Sequence, residues 1–129
     1  MAARSFVQLL GAPDPGVVVL GFSFFPQGTG AISSSQIVGR GVASVAWNAG
    51  TNRYVVTLAD QYASLLSVHA TLQLATPDDK FLQIGAVSAT NKTIEIVVWD
   101  VSGAAGTSSI AANAGNEINV LVIAKNSSV

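Results

Sequence analysis

The sequence contains no cysteine, one histidine and one methionine in 129 residues. The lack of cysteine excludes a disulfide framework and thiolate metal sites, and it suits a protein that folds in a reducing cytosol. The single histidine, His69, is followed on its own side of a strand by Thr71 and Gln73, which are neither acids nor metal ligands. A general base needs an orienting carboxylate or a nucleophile. We therefore predict no enzymatic activity and no catalytic, metal or cofactor site.

Charged residues are also scarce. They make up 10% of the chain, whereas about 25% is typical of soluble domains. Between Gly16 and Pro77 the only charged side chains are Arg40, Arg53 and Asp60. A net charge of −1 carried by so few charged groups favours self-association. The composition therefore predicts that partner proteins cover much of the surface.

Long hydrophobic runs and basic stripes are absent as well. The longest apolar runs, Val17–Phe22 and Val120–Ala124, are far shorter than the roughly 20 residues of a membrane-spanning helix. Pro13 and Pro15 interrupt the N-terminal segment, which does not have the form of a signal peptide. Six basic residues and an isoelectric point near 5.6 supply no phosphate-binding stripe. We predict contact with neither a membrane nor a nucleic acid.

Short β-rich runs separated by Gly, Asn, Asp and Pro are typical of an all-β domain. The short connections between residues 53 and 101 predict an antiparallel meander, and about seven strands in this length predict two packed sheets. Residues 16–129 are therefore predicted to form one antiparallel β-sandwich, of which the jelly roll is one form. The predicted strands are residues 16–25, 38–47, 53–58, 67–75, 80–88, 93–101 and 117–125.

The predicted strand "SVHATLQLA" alternates almost without fault, as expected of a strand with one buried face. Its second face is polar but carries no charge, which is unusual for a strand face that meets water. We interpret that face as a surface that lies against another protein. The two sets are Val68, Ala70, Leu72 and Leu74 on the buried side and Ser67, His69, Thr71 and Gln73 on the other.

Three aromatic residues leave alternatives open. Tyr62 in "DQYASLL" has the setting of a tyrosine corner, in which the phenol bonds back to the backbone. For Trp47 and Trp99 we favour positions in the core or in a subunit interface, and a sugar-stacking platform is the alternative. Such platforms usually have carboxylates and amides close by, and Asp100 lies beside Trp99.

The run "YVVTLADQYASLLSVHATLQLATPDDKFLQIGAVSATNKTIEIVVWDVSGAA" (Tyr54 to Ala105), with the closing "NEINVLVIAKNSSV", resembles small structural proteins of tailed bacteriophages. The opening "MAARSF" is similar to the start of the same group. We associate the type with head decoration, or cement, proteins. The resemblance covers about half of the chain and rests on strand and turn sequences, while residues 7–50 have no counterpart in it.

The resemblance implies a non-enzymatic virion protein, made in the bacterial cytoplasm and bound to the outer surface of the capsid. Its implied partners are further copies of itself in a homotrimer and the major capsid protein. Residues 1–15 are interpreted as an extended arm that lies on a neighbour, because two prolines disfavour a helix and Phe6, Leu9 and Leu10 offer apolar anchors. A disordered tail, which is common at domain ends, is the alternative for this segment. Two alternatives remain: a trimeric tail-fibre or spike subunit, and a carbohydrate-binding β-sandwich module.

Overall fold

The computed structural model describes residues 16–126, and the predicted N-terminal arm with Phe6, Leu9 and Leu10 lies outside them. One turn of 3-10 helix, Ser34–Gln36, is the only helical element in the described part. Every other regular element there is a strand. The strands are β1 (Val17–Phe24), β2 (Ile37–Gly39), β3 (Val42–Asn48), β4 (Arg53–Leu58), β5 (Ser64–Gln73), β6 (Lys80–Ser88), β7 (Thr93–Asp100), β8 (Gly106–Thr107) and β9 (Glu117–Lys125).

The strands form two sheets that pack face to face. The first sheet has the order β2-β1-β9-β5, and the second has the order β3-β4-β7-β6, with β8 paired to β7. Every strand pair is antiparallel. The prediction of an all-β antiparallel sandwich is confirmed, and the jelly-roll form stays a prediction.

Alternation along the strands builds the core between the sheets. In β4 every second residue is buried, namely Tyr54, Val56 and Leu58. The first sheet supplies the other half of the core through β9, where the even-numbered residues from Ile118 to Ala124 are buried. β4 and β9 thus each present one apolar side to the opposite sheet, as their sequence patterns predict.

The predicted strand of residues 38–47 is wrong, because the structure divides it between the two sheets. The chain leaves β2 and enters β3 through Gly39 and Gly41, whose φ angles are +110° and +89°. At Gly39 a Cβ would lie 2.7 Å from the carbonyl oxygen of Gly21. The crossing therefore requires a residue without a side chain at this position.

The predicted meander is also wrong. The β3–β4 and β6–β7 pairs are hairpins within the second sheet. However, β5 belongs to the first sheet, so the chain changes sheet both before and after it. Short connections do not reveal this change of sheet. The alternation of β5 does not reveal it either, since a strand alternates in the same way whichever sheet it joins.

Tyr54 holds two connecting segments to the end of the core. Its phenol donates to the carbonyl oxygen of Gly28 over 2.9 Å and accepts from the amide nitrogen of Ile110 over 3.0 Å. Tyr62 is buried, but no hydrogen bond joins its phenol to a described residue. The bond from phenol to backbone that the sequence suggested for Tyr62 is thus made by Tyr54.

Candidate functional site

The outward side of the first sheet carries no charge over most of its length. We call this surface the uncharged face. It is made by alternate residues of three neighbouring strands that point away from the core. These residues are Ser67, His69, Thr71 and Gln73 of β5, Asn119, Leu121 and Ile123 of β9, and Val19, Gly21 and Ser23 of β1.

Strand register sets these residues in rows across the sheet. The central row places His69 beside Leu121 and Leu121 beside Gly21. Since Gly21 has no side chain and no atom lies within 4 Å of where its Cβ would be, one flank of Leu121 is open. The rows on either side are Ser67–Ile123–Val19 and Thr71–Asn119–Ser23.

The centre of the uncharged face is apolar and open to solvent. Leu121 is 42% exposed and Val19 is 37% exposed, and Ile123 is half-buried between them. Around this centre the β5 residues His69, Thr71 and Gln73 are exposed. Exposed aliphatic residues that are contiguous, with a polar rim, are typical of a protein-binding surface.

On the central strand β9, the charged residues of this side stand at the two ends. Glu117 and Lys125 are the first and last residues of β9, about 27 Å apart at the rise of an extended strand. Five charged groups of the second sheet and its turns pair instead with one another. Lys80 contacts Asp78 and Asp100, and Arg53 contacts Glu95. Charge is therefore unequally divided between the two sides of the sandwich.

Ser67 and His69 are in direct contact on the uncharged face. The Ser67 hydroxyl oxygen lies 2.6 Å from His69 Nε2. No carboxylate of a described residue is hydrogen-bonded to the imidazole. Nucleophilic catalysis by such a pair uses a third group that orients the base, so this geometry fixes two side chains on a surface and supplies no triad.

The sequence identified the β5 half of this face but missed the half from β9 and β1. The missing signal lies in "EINVLVIAK", where Leu121 and Ile123 make the second side apolar in the middle of the strand. A strand that is apolar on both sides is typical of one covered on both faces. Its partner strand β1 shows the same property in "VVVL", at Val17 to Leu20.

A second exposed surface lies on the outward side of the second sheet. Phe81 and Trp99 are direct cross-strand partners in β6 and β7, with ring centroids 6.5 Å apart and ring planes inclined by 20°. Phe81 is 50% exposed. The Trp99 indole N–H donates to Gln83 Oε1 over 2.8 Å, which fixes the indole's orientation. We call these three residues the aromatic patch.

The two tryptophans lie in different surroundings. Trp47 packs edge to face on Tyr54, with ring centroids 4.9 Å apart, at the margin of the core. Asp100 does not join Trp99, because it accepts from Ser102 and contacts Lys80. The Ser102 hydroxyl and the Lys80 ammonium hold the pKa of Asp100 below its usual value. The polar partner of Trp99 is Gln83, sixteen residues away in sequence.

No group of three or more His, Asp or Glu residues within 16–126 is placed to hold a metal ion. Across the same residues, no helix has the length and hydropathy needed to cross a membrane. Comparison with family models, with curated proteins and with solved structures gives no match for this chain.

Proposed function

We propose that the protein is a non-enzymatic structural protein of a bacteriophage virion. In this proposal it decorates and cements the icosahedral capsid as a homotrimer and stabilises the head shell. The uncharged face is the observation that carries the proposal. The sequence resemblance to phage head proteins supplies the identity of the partner, the major capsid protein.

The unequal division of charge supports burial of the uncharged face in an assembly. Water-exposed strands normally alternate apolar with polar or charged residues, and the second sheet has Arg53, Glu95 and Lys92 on or beside its strands. On the uncharged face, Leu121 and Val19 stand exposed instead. Removing this apolar surface from water contributes about 25 cal/mol per Å² of favourable free energy.

The side chains of the uncharged face suit tight packing against another protein. Gly21, Ser67 and Thr71 are short, so a partner backbone can approach closely. Serine, threonine and amide groups can form hydrogen bonds at the rim without the desolvation cost of charged groups. Affinity would then come from the aliphatic centre and from shape.

Binding of this kind stabilises a capsid by mass action. A protein that binds the assembled shell but not its separated subunits lowers the free energy of the shell by RT ln(1 + [L]/Kd) per site. Many copies on one shell add these contributions. No reaction or cofactor takes part.

The test is to locate the protein in virions of the phage that encodes it. Immunogold labelling should decorate heads, and purified protein should bind shells assembled without it and raise their thermal disruption temperature. Labelling confined to tails would overturn the proposal in favour of the tail-fibre alternative. A protein absent from purified virions would overturn both.

A further inference from the structure

We infer that the outward side of the second sheet, centred on the aromatic patch, binds a neutral oligosaccharide. This site goes beyond the proposed capsid role, because it lies on the sheet opposite the uncharged face. The inference rests on an aromatic pair in which Phe81 is exposed and Trp99 is partly buried, on an oriented amide and on a neighbouring ion pair. All of them share one side of one sheet.

The aromatic patch has the apolar half of a saccharide site. The C–H groups of a pyranose ring pack on exposed aromatic carbon, and Phe81 is 50% exposed. Trp99 lies directly across the strand pair with its ring inclined by only 20° to that of Phe81. The two rings stack on each other, so Trp99 supports the Phe81 ring, whose exposed surface is what a sugar would contact.

Gln83 provides the first polar group beside these rings. Its side-chain oxygen accepts from the Trp99 indole N–H, and this contact leaves its amide N–H groups available as donors. Gln83 is exposed on β6 two residues from Phe81. A hydroxyl of a sugar stacked on Phe81 therefore lies within reach of an amide that is already oriented.

The Arg53–Glu95 pair provides donors and acceptors further along the same surface. Glu95 and Trp99 point to the same side of β7, about 13 Å apart at the rise of a strand. The Arg53 guanidinium contacts Glu95 Oε2 over 2.6 Å. Arg53 and Glu95 side chains are 38% and 22% exposed, so both retain groups that can bind hydroxyls.

At Gly85, which has no side chain, the Arg53 and Glu95 side chains can lie close to the backbone of the sheet. A Cβ at Gly85 would lie 3.2 Å from Glu95 Cβ and 3.3 Å from an Arg53 terminal nitrogen. The ion pair therefore lies close to the sheet over Gly85 and does not stand up as a barrier between Gln83 and Glu95. A short chain of sugars can extend from the aromatic patch to the ion pair.

Charge identifies the class of sugar. Arg53 and Glu95 neutralise each other, and Phe81, Gln83 and Trp99 carry no charge. Because Arg53 already pairs with Glu95, an acidic saccharide would have to compete with Glu95 for the guanidinium, whereas a neutral one can use both partners of the pair through its hydroxyls. The site therefore favours a neutral oligosaccharide with an apolar ring face, of the kind found on bacterial surfaces.

The test is binding of the purified full chain to an array of neutral and acidic bacterial surface oligosaccharides, followed by titration of the best-bound glycan. We expect neutral glycans to bind, and we expect Phe81→Ala to weaken the affinity at least tenfold. Gln83→Ala should weaken it several-fold. Val87→Ser, at a residue of the same strand that is 40% exposed, should leave the affinity unchanged.

Phe81→Ala is the decisive variant because Phe81 is half exposed, so its loss leaves the core intact. Circular dichroism and the denaturation midpoint verify its fold. The inference is overturned if the wild type binds no glycan on the array, or if Phe81→Ala binds as well as the wild type. It is also overturned if Phe81→Ala instead abolishes self-association, since the patch is then a protein contact. Head labelling of virions is independent of all these results.

Discussion

The phenol of Tyr54 is hydrogen-bonded to the amide nitrogen of Ile110, a residue 56 positions away, over 3.0 Å. Both residues are buried, with exposed fractions of 0% and 1%. Ile110 belongs to the segment that crosses from β7 to β9. The contact therefore joins the middle of the second sheet to the connection that returns the chain to the first sheet.

Replacing Tyr54 by phenylalanine should lower the free energy of unfolding by about 1–3 kcal/mol. The reason is that the Ile110 amide and the Gly28 carbonyl would lose a hydrogen-bond partner. Urea denaturation measures the change. Tyr62→Phe is the matched control, and it should cost less because its phenol bonds to no described residue. Equal losses in the two variants would show that the Tyr54 hydrogen bonds add nothing to stability.

Tyr54 should also make the protein less stable at high pH. Burial raises the pKa of Tyr54 above its ordinary value of 10.0, and the hydrogen bond to Ile110 offsets this only in part. Above about pH 10 an unfolded tyrosine loses its proton while the folded one keeps it. The contribution of protonated Tyr54 to the free energy of unfolding is thus fully present below about pH 10. It is lost as pH rises further toward the folded-state pKa.

Denaturation midpoints between pH 8 and pH 11.5 test this dependence. The wild type should lose stability above about pH 10, and Tyr54→Phe should lose less. Part of the slope should remain in the variant, since burial and the nearby Asp60 carboxylate also raise the pKa of Tyr62. Parallel curves for the wild type and Tyr54→Phe would exclude Tyr54 as the source.

Gly39 should not tolerate a side chain. Gly39→Ala should destabilise the protein by about 2 kcal/mol or more, for two reasons. Gly39 has a φ of +110°, which is unfavourable for residues with a side chain. The new Cβ would also overlap the backbone of Gly21 and Phe22. Gly103→Ala is the control. Gly103 also has positive φ, +85°, but no atom lies within 4 Å of its Cβ position.

Thermal or urea unfolding of the two alanine variants separates strain from steric overlap. The larger loss is expected at Gly39. If Gly103→Ala is as destabilising as Gly39→Ala, the requirement for glycine at position 39 comes from its positive φ and not from the close approach between β2 and β1.

The fold class could be predicted because it depends on short-range alternation. Tyr54, Val56 and Leu58 are buried in the order that their spacing indicates. Sheet membership depends on contacts between distant segments, and the sequence pattern does not contain it. The turn at residues 76–79 looks like a hairpin turn, yet it joins strands of different sheets.

The candidate sites were predictable to a similar extent. The β5 side of the uncharged face follows from alternation in one strand, but the neighbours of His69 and Thr71 come from β9, about fifty residues later, and depend on register. Trp99 could be named, together with Trp47, as a candidate sugar platform, whereas its contacts with Phe81 and Gln83 could not be predicted because they depend on strand register. Asp100, next to Trp99 in sequence, contacts Lys80 and Ser102 instead, because successive residues of a strand point to opposite sides.

The central claim is that the uncharged face is buried between proteins, and sedimentation equilibrium at low micromolar concentration tests it most directly. We expect the wild type to sediment as a trimer and Thr71→Lys and Leu121→Lys to sediment as folded monomers, because each buries an unpaired charge in the interface. Ala46→Lys, on the exposed side of β3 in the other sheet, should remain a trimer. A wild type that stays monomeric would contradict this claim. So would two single variants, Thr71→Lys and Leu121→Lys, that each assemble and bind shells like the wild type.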